Sequence, residues 1–358
     1  MLNKSTAIML ELSALQQNII NNFQKDFPLC EQPYQAIAQL LDSSEQQVLE
    51  AIEDLNQLGV LSRVGPVFDH KKAGASTLAA IAAPPEQIDK IAGIVNQFEQ
   101  VNHNYAREHD YNLWFVVTAS DPMALAETLQ EIELLTGLPI LVLPMEASYH
   151  IDLGFKINFS GSDEKITKKQ RVKSVKLAST FIENKVCLNQ DQQTLLRGII
   201  EKGLPTQTKP YAEIADKLSG TSTQVINQIE QWQNNGLIRR FGLVVKHRKL
   251  GFNANAMVVW DIPADKVDEV GELLSLCDAV TLCYQRPRQL PEWNYNLFSM
   301  IHGQDRDTVL QQLADIVEQN GLTGFKRDVL FSYKLFKQCG GQYVQPGCTE
   351  QLPKGLSL

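Results

Sequence analysis

The second half of this 358-residue chain repeats the first half at a constant spacing. The segment PYQAIAQLL at 33–41 returns as PYAEIADKL at 210–218, and LGVLSRVGPVFDHKKAG at 58–74 returns as NGLIRRFGLVVKHRKLG at 235–251. Both pairs are offset by 177 residues. A spacing held over about forty positions indicates duplication of a whole structural unit. Any architecture proposed for the first copy must therefore also suit the second.

Each copy begins with short amphipathic helices. In the first copy the third helix has apolar residues at helical spacing, namely Val48, Leu49, Ile52, Leu55 and Leu58. Ser43 or Ser44 is the expected N-cap of this helix, and Gly59 its expected stop. The β-branched run VLSRVGPVF that follows predicts a two-stranded hairpin. Three helices and such a wing predict a winged helix-turn-helix domain.

The remainder of each copy shows the order strand, helix, strand, strand, helix, strand. We place these elements at 76–83, 86–98, 99–106, 111–118, 122–136 and 139–147 in the first copy, and at 253–261, 263–275, 279–285, 294–301, 305–319 and 323–333 in the second. This order is typical of a ferredoxin-like domain. The predicted fold class is therefore α+β, a tandem repeat of winged helix-turn-helix and ferredoxin-like domains, with the two copies paired as a pseudo-dimer.

The domain boundaries follow from the same repeat. We predict winged helix domains at 1–68 and 189–246, ferredoxin-like domains at 69–157 and 247–345, a linker at 158–188 and a C-terminal tail at 346–358. The linker contains NFSGSDEKITKKQRVKSVK, which is polar, basic and without a helical period. It lacks the interleaved aromatic residues of a single-stranded nucleic-acid binder, so a solvated linker is favoured.

The charge of the chain disfavours DNA binding despite the helix-turn-helix pattern. The formal net charge is -8, whereas affinity for nucleic acid comes largely from neutralising phosphates. The two predicted recognition helices, at 43–59 and 220–236, contain no Lys or Arg to contact bases. Six cysteines without a CxxC pair indicate reduced thiols, and no segment is typical of a leader peptide or a membrane span. We expect a cytoplasmic protein that binds neither specific DNA nor membranes.

One predicted strand of the first copy has an unusual polar face. In HNYAREHDYNLWF at 103–115, strand alternation places His103, Tyr105 and Arg107 on the same side. A solvated strand usually carries Lys, Glu and Thr, so this set favours a binding site. Arg pairs bidentately with carboxylates, and His exchanges protons near neutral pH. The pattern indicates a site for a flat, anionic ligand.

The second copy keeps part of this set in LCYQRPRQLPEWNYNLFSMIHG. Tyr284 and Arg286 repeat the Tyr-x-Arg pattern, but Leu282 stands where the first copy has His103. Further polar or aromatic candidates in the two copies are Tyr111, Trp114, His150, Arg288, Trp293, His302 and Lys334. Unlike sets on duplicated halves indicate a division of labour between acid–base groups and anion-binding groups. No Walker A, GxGxxG, GxSxG, HExxH or zinc-type spacing is present, and we expect no protein-bound metal.

These strings resemble one family. RVGPVF, HNYAREHDYNLWF, KHRKLGFNANAMVVW, the LCYQRPRQLPEWNYNLFSMIHG segment and VLFSYKLFKQCGGQY are together similar to the siroheme decarboxylases, which are Lrp/AsnC-like proteins. The resemblance covers nearly the whole chain. It implies loss of carbon dioxide from the two acetates of siroheme, giving 12,18-didecarboxysiroheme. The fused, two-copy form resembles the heme d1 branch, whose other proteins are expected partners. No cofactor is implied beyond the iron of the siroheme substrate.

The resemblance also implies roles for the candidate residues. His103 and His109 are the expected catalytic proton donors, with Tyr105 as an alternative donor. Arg107, Arg286 and Arg288 are the expected carboxylate clamps. The remaining substrate-binding candidates are Tyr111, Trp114, His150, Tyr284, Trp293, His302 and Lys334, of which Trp114, Tyr284 and Trp293 are expected to line the macrocycle. Arg63 and Arg240 recur in the wings, and the sequence leaves a structural and a functional role open.

Two other functions stay open at the level of sequence. One is an Lrp/AsnC-type transcription regulator whose ferredoxin-like domains sense a small ligand. The other is a tetrapyrrole-binding protein without turnover. A fused pseudo-dimer is compatible with either a monomer or a homodimer of the chain.

Overall fold

The computed structural model describes residues 11–151, 154, 157, 170, 188–252, 254–341 and 343. The chain forms two compact units. The first takes its described residues from Met1–Ala73 and Gly154–Lys246, and the second from Gly74–Leu153 and His247–Tyr343. Apart from 170 and 188, the predicted linker at 158–188 lies outside the described residues, as does the predicted tail at 346–358.

The two copies share most of their elements in the same order, but the first has a short helix where the second has a 3-10 turn, and two short strands where the second has one long strand. The first copy contains α1 (Ala14–Phe23), α2 (Pro33–Leu40), α3 (Glu45–Gln57), β1 (Leu61–Phe68), α4 (His70–Ala73), β2 (Ala75–Ile81), α5 (Ile88–Asn96), β3 (Val101–Arg107), β4 (Leu113–Ala119), α6 (Pro122–Thr136), β5 (Ile140–Pro144) and β6 (Ala147–Ile151). The second contains α7 (Gln190–Lys202), α8 (Pro210–Lys217), α9 (Ser222–Asn234), β7 (Ile238–Val245), β8 (Ala254–Asp261), α10 (Val267–Ser275), β9 (Val280–Gln285), β10 (Leu297–Gly303), α11 (Arg306–Gln319) and β11 (Lys326–Gln338). Short 3-10 turns lie at Pro85–Gln87, His247–Leu250 and Leu322–Gly324.

The ends of α3 follow the predicted signals. Ser44 is the N-cap, and its side chain accepts a hydrogen bond from the backbone N–H of Gln47, whose side chain reaches back to the Ser44 N–H. Gly59, just past the helix, has a φ of 68°, which favours glycine. The predicted ends of α3 are thereby confirmed.

The predicted wing hairpin is wrong. β1 is one uninterrupted strand, and it pairs antiparallel with β7, the same segment of the other copy, with Gly65 opposite Gly242. Gly65 does not serve a turn but a close approach, because a Cβ there would lie 3.1 Å from the Ile200 carbonyl oxygen of α7. The two helical domains therefore share a two-stranded sheet. Arg63 and Arg240 donate to carbonyl oxygens of Pro66 and Gln24, which supports their structural role.

The second unit contains the two predicted ferredoxin-like domains, joined in one nine-stranded sheet. Its strand order is β5-β2-β4-β3-β11-β8-β10-β9-β6. Two pairings cross between the copies, β3 with β11 and β6 with β9. The end strands β5 and β6 are consecutive in the chain, so the sheet turns back until its ends are neighbours. The predicted pairing of the two copies is confirmed.

Helices cover one face of each half of this sheet, and the opposite faces meet. Ile91 and Val95 of α5 pack on Phe115 in the helix-covered core of the first copy, and α10 and α11 form an equivalent core in the second. A third core joins both copies, with Trp114 of β4 and Val259 of β8 among its buried members. We call the sheet face that carries this third core the inner face.

Several strand boundaries differ from the prediction by one to five residues, and two of the differences follow from contacts remote in sequence. β4 begins at Leu113 rather than at 111, because the side chain of Asn112 instead bonds both backbone groups of Ala83. β11 continues to Gln338 rather than 333, because its last residues pair with β3 of the other copy.

Candidate functional site

The polar residues of β3 lie on the inner face. Ala106 packs in the helix-covered core, and the Asn104 side chain donates to the Asn96 side chain of α5 at 3.0 Å. Alternation then places His103, Tyr105 and Arg107 on the opposite side. The rings of His103 and Tyr105 stack with centroids 6.3 Å apart, as expected for side chains on one face. The predicted grouping of these three residues is confirmed.

The guanidinium of Arg107 is buried, with 5% of the residue exposed, and it bonds to the second copy. It donates to the Leu330 carbonyl oxygen at 2.9 Å and to Asn255 Oδ1 at 3.2 Å. Burial lowers the pKa of Arg107 to about 10, which leaves the group charged at neutral pH. Burial also raises the pKa of Tyr105, so this phenol keeps its proton at neutral pH.

A directed hydrogen-bond chain links Arg107 to His302. Because a guanidinium only donates, Asn255 presents its oxygen to Arg107 and its NH₂ group to His302. Asn255 Nδ2 lies 2.9 Å from His302 Nε2, which therefore accepts. The proton of neutral His302 then sits on Nδ1, 2.9 Å from Thr281 Oγ1, which donates onward to the Met300 carbonyl oxygen. The chain holds His302 in one tautomer.

The residues of this hydrogen-bond chain form part of a row that runs across several strands. Arg107 lies opposite Ser332 of β11, and Asn255 lies opposite His302 of β10. We call this set the polar row; it comprises Arg107, Ser332, Asn255, His302 and Thr281. The row brings together Arg107 and His302, two sequence-predicted residues from different copies.

Arg248 adjoins the polar row and was missed by the sequence analysis. It follows β7 in the turn His247–Leu250 and donates from Nη2 to both the carbonyl oxygen and Oγ of Ser332, each at 3.0 Å. Its charge is near enough to lower the pKa values of both Tyr105 and Arg107, although burial dominates each shift. The duplication carried a signal for this residue, because a basic side chain, Lys71, stands 177 positions earlier.

His109 belongs to an aromatic cluster built by both copies. Its ring lies 5.4 Å from that of Trp293, which in turn lies 6.0 Å from Tyr111 and 5.2 Å from Trp114. His109 Nδ1 accepts from the Tyr111 backbone N–H at 3.0 Å, so a neutral ring carries its proton on Nε2, 3.9 Å from a carboxylate oxygen of Asp328. The structure thus brings four predicted residues together.

Two members of the aromatic cluster that were expected to line the macrocycle are buried. Trp114 and Trp293 are 2% and 1% exposed and belong to the inner core, so they form its structure rather than an open wall. Trp114 Nε1 donates to the Tyr111 carbonyl oxygen at 2.6 Å. Tyr111 lies before the start of β4 and packs on the same inner core as Trp114.

The Tyr-x-Arg pattern of the second copy repeats the geometry of the first. The guanidinium of Arg286 lies 5.5 Å from the Tyr284 ring centre, and that of Arg107 lies 5.6 Å from Tyr105. Arg286 donates to the Leu143 carbonyl oxygen of the first copy, as Arg107 donates to Leu330 of the second. Each arginine therefore fastens its own copy to the other.

The remaining predicted residues lie apart from these groups. Arg288 forms an ion pair with Asp261 at 2.6 Å, and Lys334 one with Asp89 of α5 at 2.7 Å. His150 is half-buried on β6, opposite Cys283. These contacts give both cations counter-ions within the protein. Their substrate-binding roles stay predictions.

Two further findings concern metal binding and membrane-spanning helices. Within the described part of the chain, no three or more His, Cys, Asp or Glu side chains are grouped to hold a metal ion. Across the same residues, none of the helices has the length and apolar character needed to cross a bilayer.

The two domain types of the repeat match two separate family models. A model described as "AsnC-like ligand binding domain" matches residues 72–150 and 249–337, and one described as "Siroheme decarboxylase NirDL-like HTH domain" matches 16–61 and 193–239. Both models match once in each copy, in agreement with the duplication.

Relatives match either the full chain or one copy. The siroheme decarboxylase NirDL subunit of Paracoccus denitrificans (strain Pd 1222) is 34% identical over 336 residues, which cover 94% of this chain and 99% of that protein. The siroheme decarboxylase NirL subunit of Stutzerimonas stutzeri is 49% identical over 160 residues, or 45% of this chain and 94% of that protein. A crystal structure of the siroheme decarboxylase NirDL in co-complex with an iron-uroporphyrin III analogue has the same fold, with a TM-score of 0.64 at 24% identity, over 94% of this chain and 96% of that one.

Proposed function

Because the chain belongs to the siroheme decarboxylase family, we propose that it removes carbon dioxide from the two acetate side chains of siroheme. The expected product is 12,18-didecarboxysiroheme, an intermediate of heme d1 assembly. The observation that carries this proposal is the match to a siroheme decarboxylase over 94% of the chain, with both copies included.

The inner face supports this chemistry. Loss of carbon dioxide breaks the bond between the acetate methylene and its carboxylate, and the electron pair stays on the methylene carbon. The conjugated macrocycle delocalises this charge until a proton converts the methylene to a methyl group. The protein must hold ionised carboxylates and deliver that proton. Arg107 is a charged group that can hold a carboxylate. His103, His109 and Tyr105 are groups that can deliver the proton.

The contacts refine the proposed roles. Burial raises the pKa of the Tyr105 phenol, which keeps it protonated but makes it a weaker acid, so Tyr105 stays the alternative donor to His103 and His109. Arg286 and Arg288 already bond to the Leu143 carbonyl and to Asp261, which favours a structural contribution from both. Arg107 bonds to protein atoms in the same way as Arg286, but of the three arginines it is the one that lies in the polar row with Asn255 and His302 and beside Arg248. We therefore assign carboxylate binding first to Arg107.

We further propose that the substrate iron is the only metal involved and that no organic cofactor takes part. The macrocycle itself accepts the electrons that a cofactor would otherwise have to accept. Since the β1–β7 and β3–β11 pairings already join two copies within one chain, a monomer is sufficient to form the pseudo-dimer.

The test is anaerobic incubation of the purified chain with siroheme, followed by mass spectrometry of the tetrapyrrole. We expect a time-dependent loss of two carbon dioxide units, with a mono-decarboxylated species in between. A binding protein without turnover would shift the siroheme absorbance and leave its mass unchanged, and that result would refute the decarboxylase proposal.

A further inference from the structure

Arg107 and Arg248 form a pair of like charges without an acidic partner. Neither makes an ion pair with an Asp or Glu among the described residues, in contrast to Arg288 and Arg306, which pair with Asp261 and Glu108. All the hydrogen bonds found for the two arginines go to neutral groups: the Leu330 carbonyl, Asn255 and Ser332. Two cations held side by side on neutral acceptors favour the binding of an anion.

Each member of the pair also has an unused buried donor. The Nε atoms of Arg107 and of Arg248 are both buried and have no hydrogen-bond partner in the described structure. A buried donor left without an acceptor is destabilising, because it has lost its hydrogen bonds to water and gained none in the protein. A carboxylate has two oxygens with several lone pairs, and a guanidinium binds it in a forked geometry. One carboxylate would therefore meet the needs of both arginines.

The position of Arg248 makes it the accessible member. Arg107 is buried, whereas Arg248 is half-exposed on the turn after β7. Ser332 places the two arginines near each other, because it lies opposite Arg107 in the sheet and accepts two hydrogen bonds from Arg248. His302 and His103 share the inner face with this pair, so a carboxylate held here would lie beside titratable groups.

We propose that Arg248 and Arg107 together bind one carboxylate of the tetrapyrrole, with Arg248 as a substrate-binding residue of the second copy. This inference rests on the proposed function for the identity of the ligand. The Tyr-x-Arg pattern of the second copy does not share this carboxylate-binding role. Arg286 donates to the Leu143 carbonyl, and no second arginine is among its described partners.

The test uses iron-uroporphyrin, a stable polycarboxylate, titrated by absorbance at low ionic strength. R248Q should weaken binding by about 10- to 100-fold, the range expected for a hydrogen bond to a charged group. R248K keeps the positive charge but loses the forked guanidinium geometry, so its affinity should lie between those of wild type and R248Q. R306Q removes an equally charged but paired and exposed arginine, and should bind like wild type. Thermal melts of each variant check the fold.

A double variant tests whether one carboxylate is shared. If both arginines hold it, R107Q/R248Q should lose less affinity than the product of the two single losses. Affinity of R248Q equal to that of R306Q would overturn the proposal; if R248Q does not fold, wild-type affinity of R248K would do so.

Siroheme turnover is measured separately. A wild-type chain that binds the probe through Arg248 but leaves siroheme intact would refute the decarboxylase alone, whereas turnover unaffected by a binding-neutral R248Q would refute the arginine pair alone. A wild-type chain that does not bind the probe overturns the pair.

Discussion

At the scale of single residues, the orientation of one amide decides the protonation of a histidine. Asn255 must accept from Arg107, so it donates to His302 and leaves the ring proton on Nδ1. We expect ¹⁵N NMR of histidine-labelled protein at pH 7 to show His302 as the neutral Nδ1–H tautomer. In N255D the new carboxylate accepts from both neighbours, so His302 should gain a second proton and become cationic.

Assignment of the His302 signal comes from its disappearance in H302Q. An imidazolium spectrum for His302 in the wild-type protein would contradict the hydrogen-bond direction that Arg107 imposes on Asn255. So would an unchanged neutral spectrum in N255D, because a carboxylate cannot donate to Nε2 at this pH.

Sequence patterns predicted which face each β3 side chain occupies but not what it meets there. Alternation is a local property, so it placed His103, Tyr105 and Arg107 correctly. Asn255, Ser332 and Arg248 were not predicted as neighbours, because the pairing of β3 with β11 depends on a register between segments more than 200 residues apart, as Arg107 and Ser332 are. The resemblance strings contained all three residues without indicating their contact.

At the scale of elements, the β1–β7 pair depends on two glycines that face each other. A Cβ on Gly242 would lie 2.5 Å from the Gln24 carbonyl oxygen, whereas one on Gly65 would lie 3.1 Å from that of Ile200. G242A should therefore destabilise the protein by about 2 kcal/mol or more, as strain in a packed interior does, and G65A by less. Thermal or urea unfolding measures both changes.

Gly93 provides the matched control for this series. It lies inside α5, and a Cβ there would meet no atom within 4 Å. G93A should stabilise the protein by about 0.5–1 kcal/mol, because alanine favours the helix. The ranking would be contradicted by a G242A variant as stable as wild type, since the close approach of α1 to β7 would then not exist.

The same strand shows where sequence analysis of elements fails. The run 60–68 was correctly predicted as β structure, and both ends of the preceding helix α3 were correctly placed. Its partner was wrong, because a β-rich run reads alike whether it folds on itself or pairs with a second copy. Only the duplication hinted at the alternative: segments present twice can pair with each other.

At the scale of the whole molecule, the two copies repeat the same fold but carry different polar side chains on their inner faces. Both copies carry Tyr-x-Arg with equivalent contacts. Counted from the aligned starts of β4 and β10, Leu113 and Leu297, the first copy has Ser76 and Thr118 where the second has Asn255 and His302. The polar row is therefore built once, between β3 of the first copy and the sheet of the second. We infer a single catalytic site in each chain.

One site for two acetates makes a kinetic prediction. H103A and H109A should each slow turnover by about 10²–10⁴-fold, the usual contribution of general acid catalysis. Since both acetates would use the same donors, both losses of carbon dioxide should slow together. A time course by mass spectrometry resolves the starting siroheme, the mono-decarboxylated species and the product. Binding of iron-uroporphyrin, measured in parallel, separates lost catalysis from lost affinity.

The alternative is a second site that uses the half of the molecule with His302. If H103A loses one acetate at the wild-type rate and stops there, each acetate has its own donor, and H302Q should then block the complementary step. Under the single-site mechanism H302Q instead affects both steps equally, because Arg107, Asn255 and His302 belong to one hydrogen-bond chain. The relative rates of the two steps in H103A and H302Q therefore decide whether the macrocycle must rebind between decarboxylations.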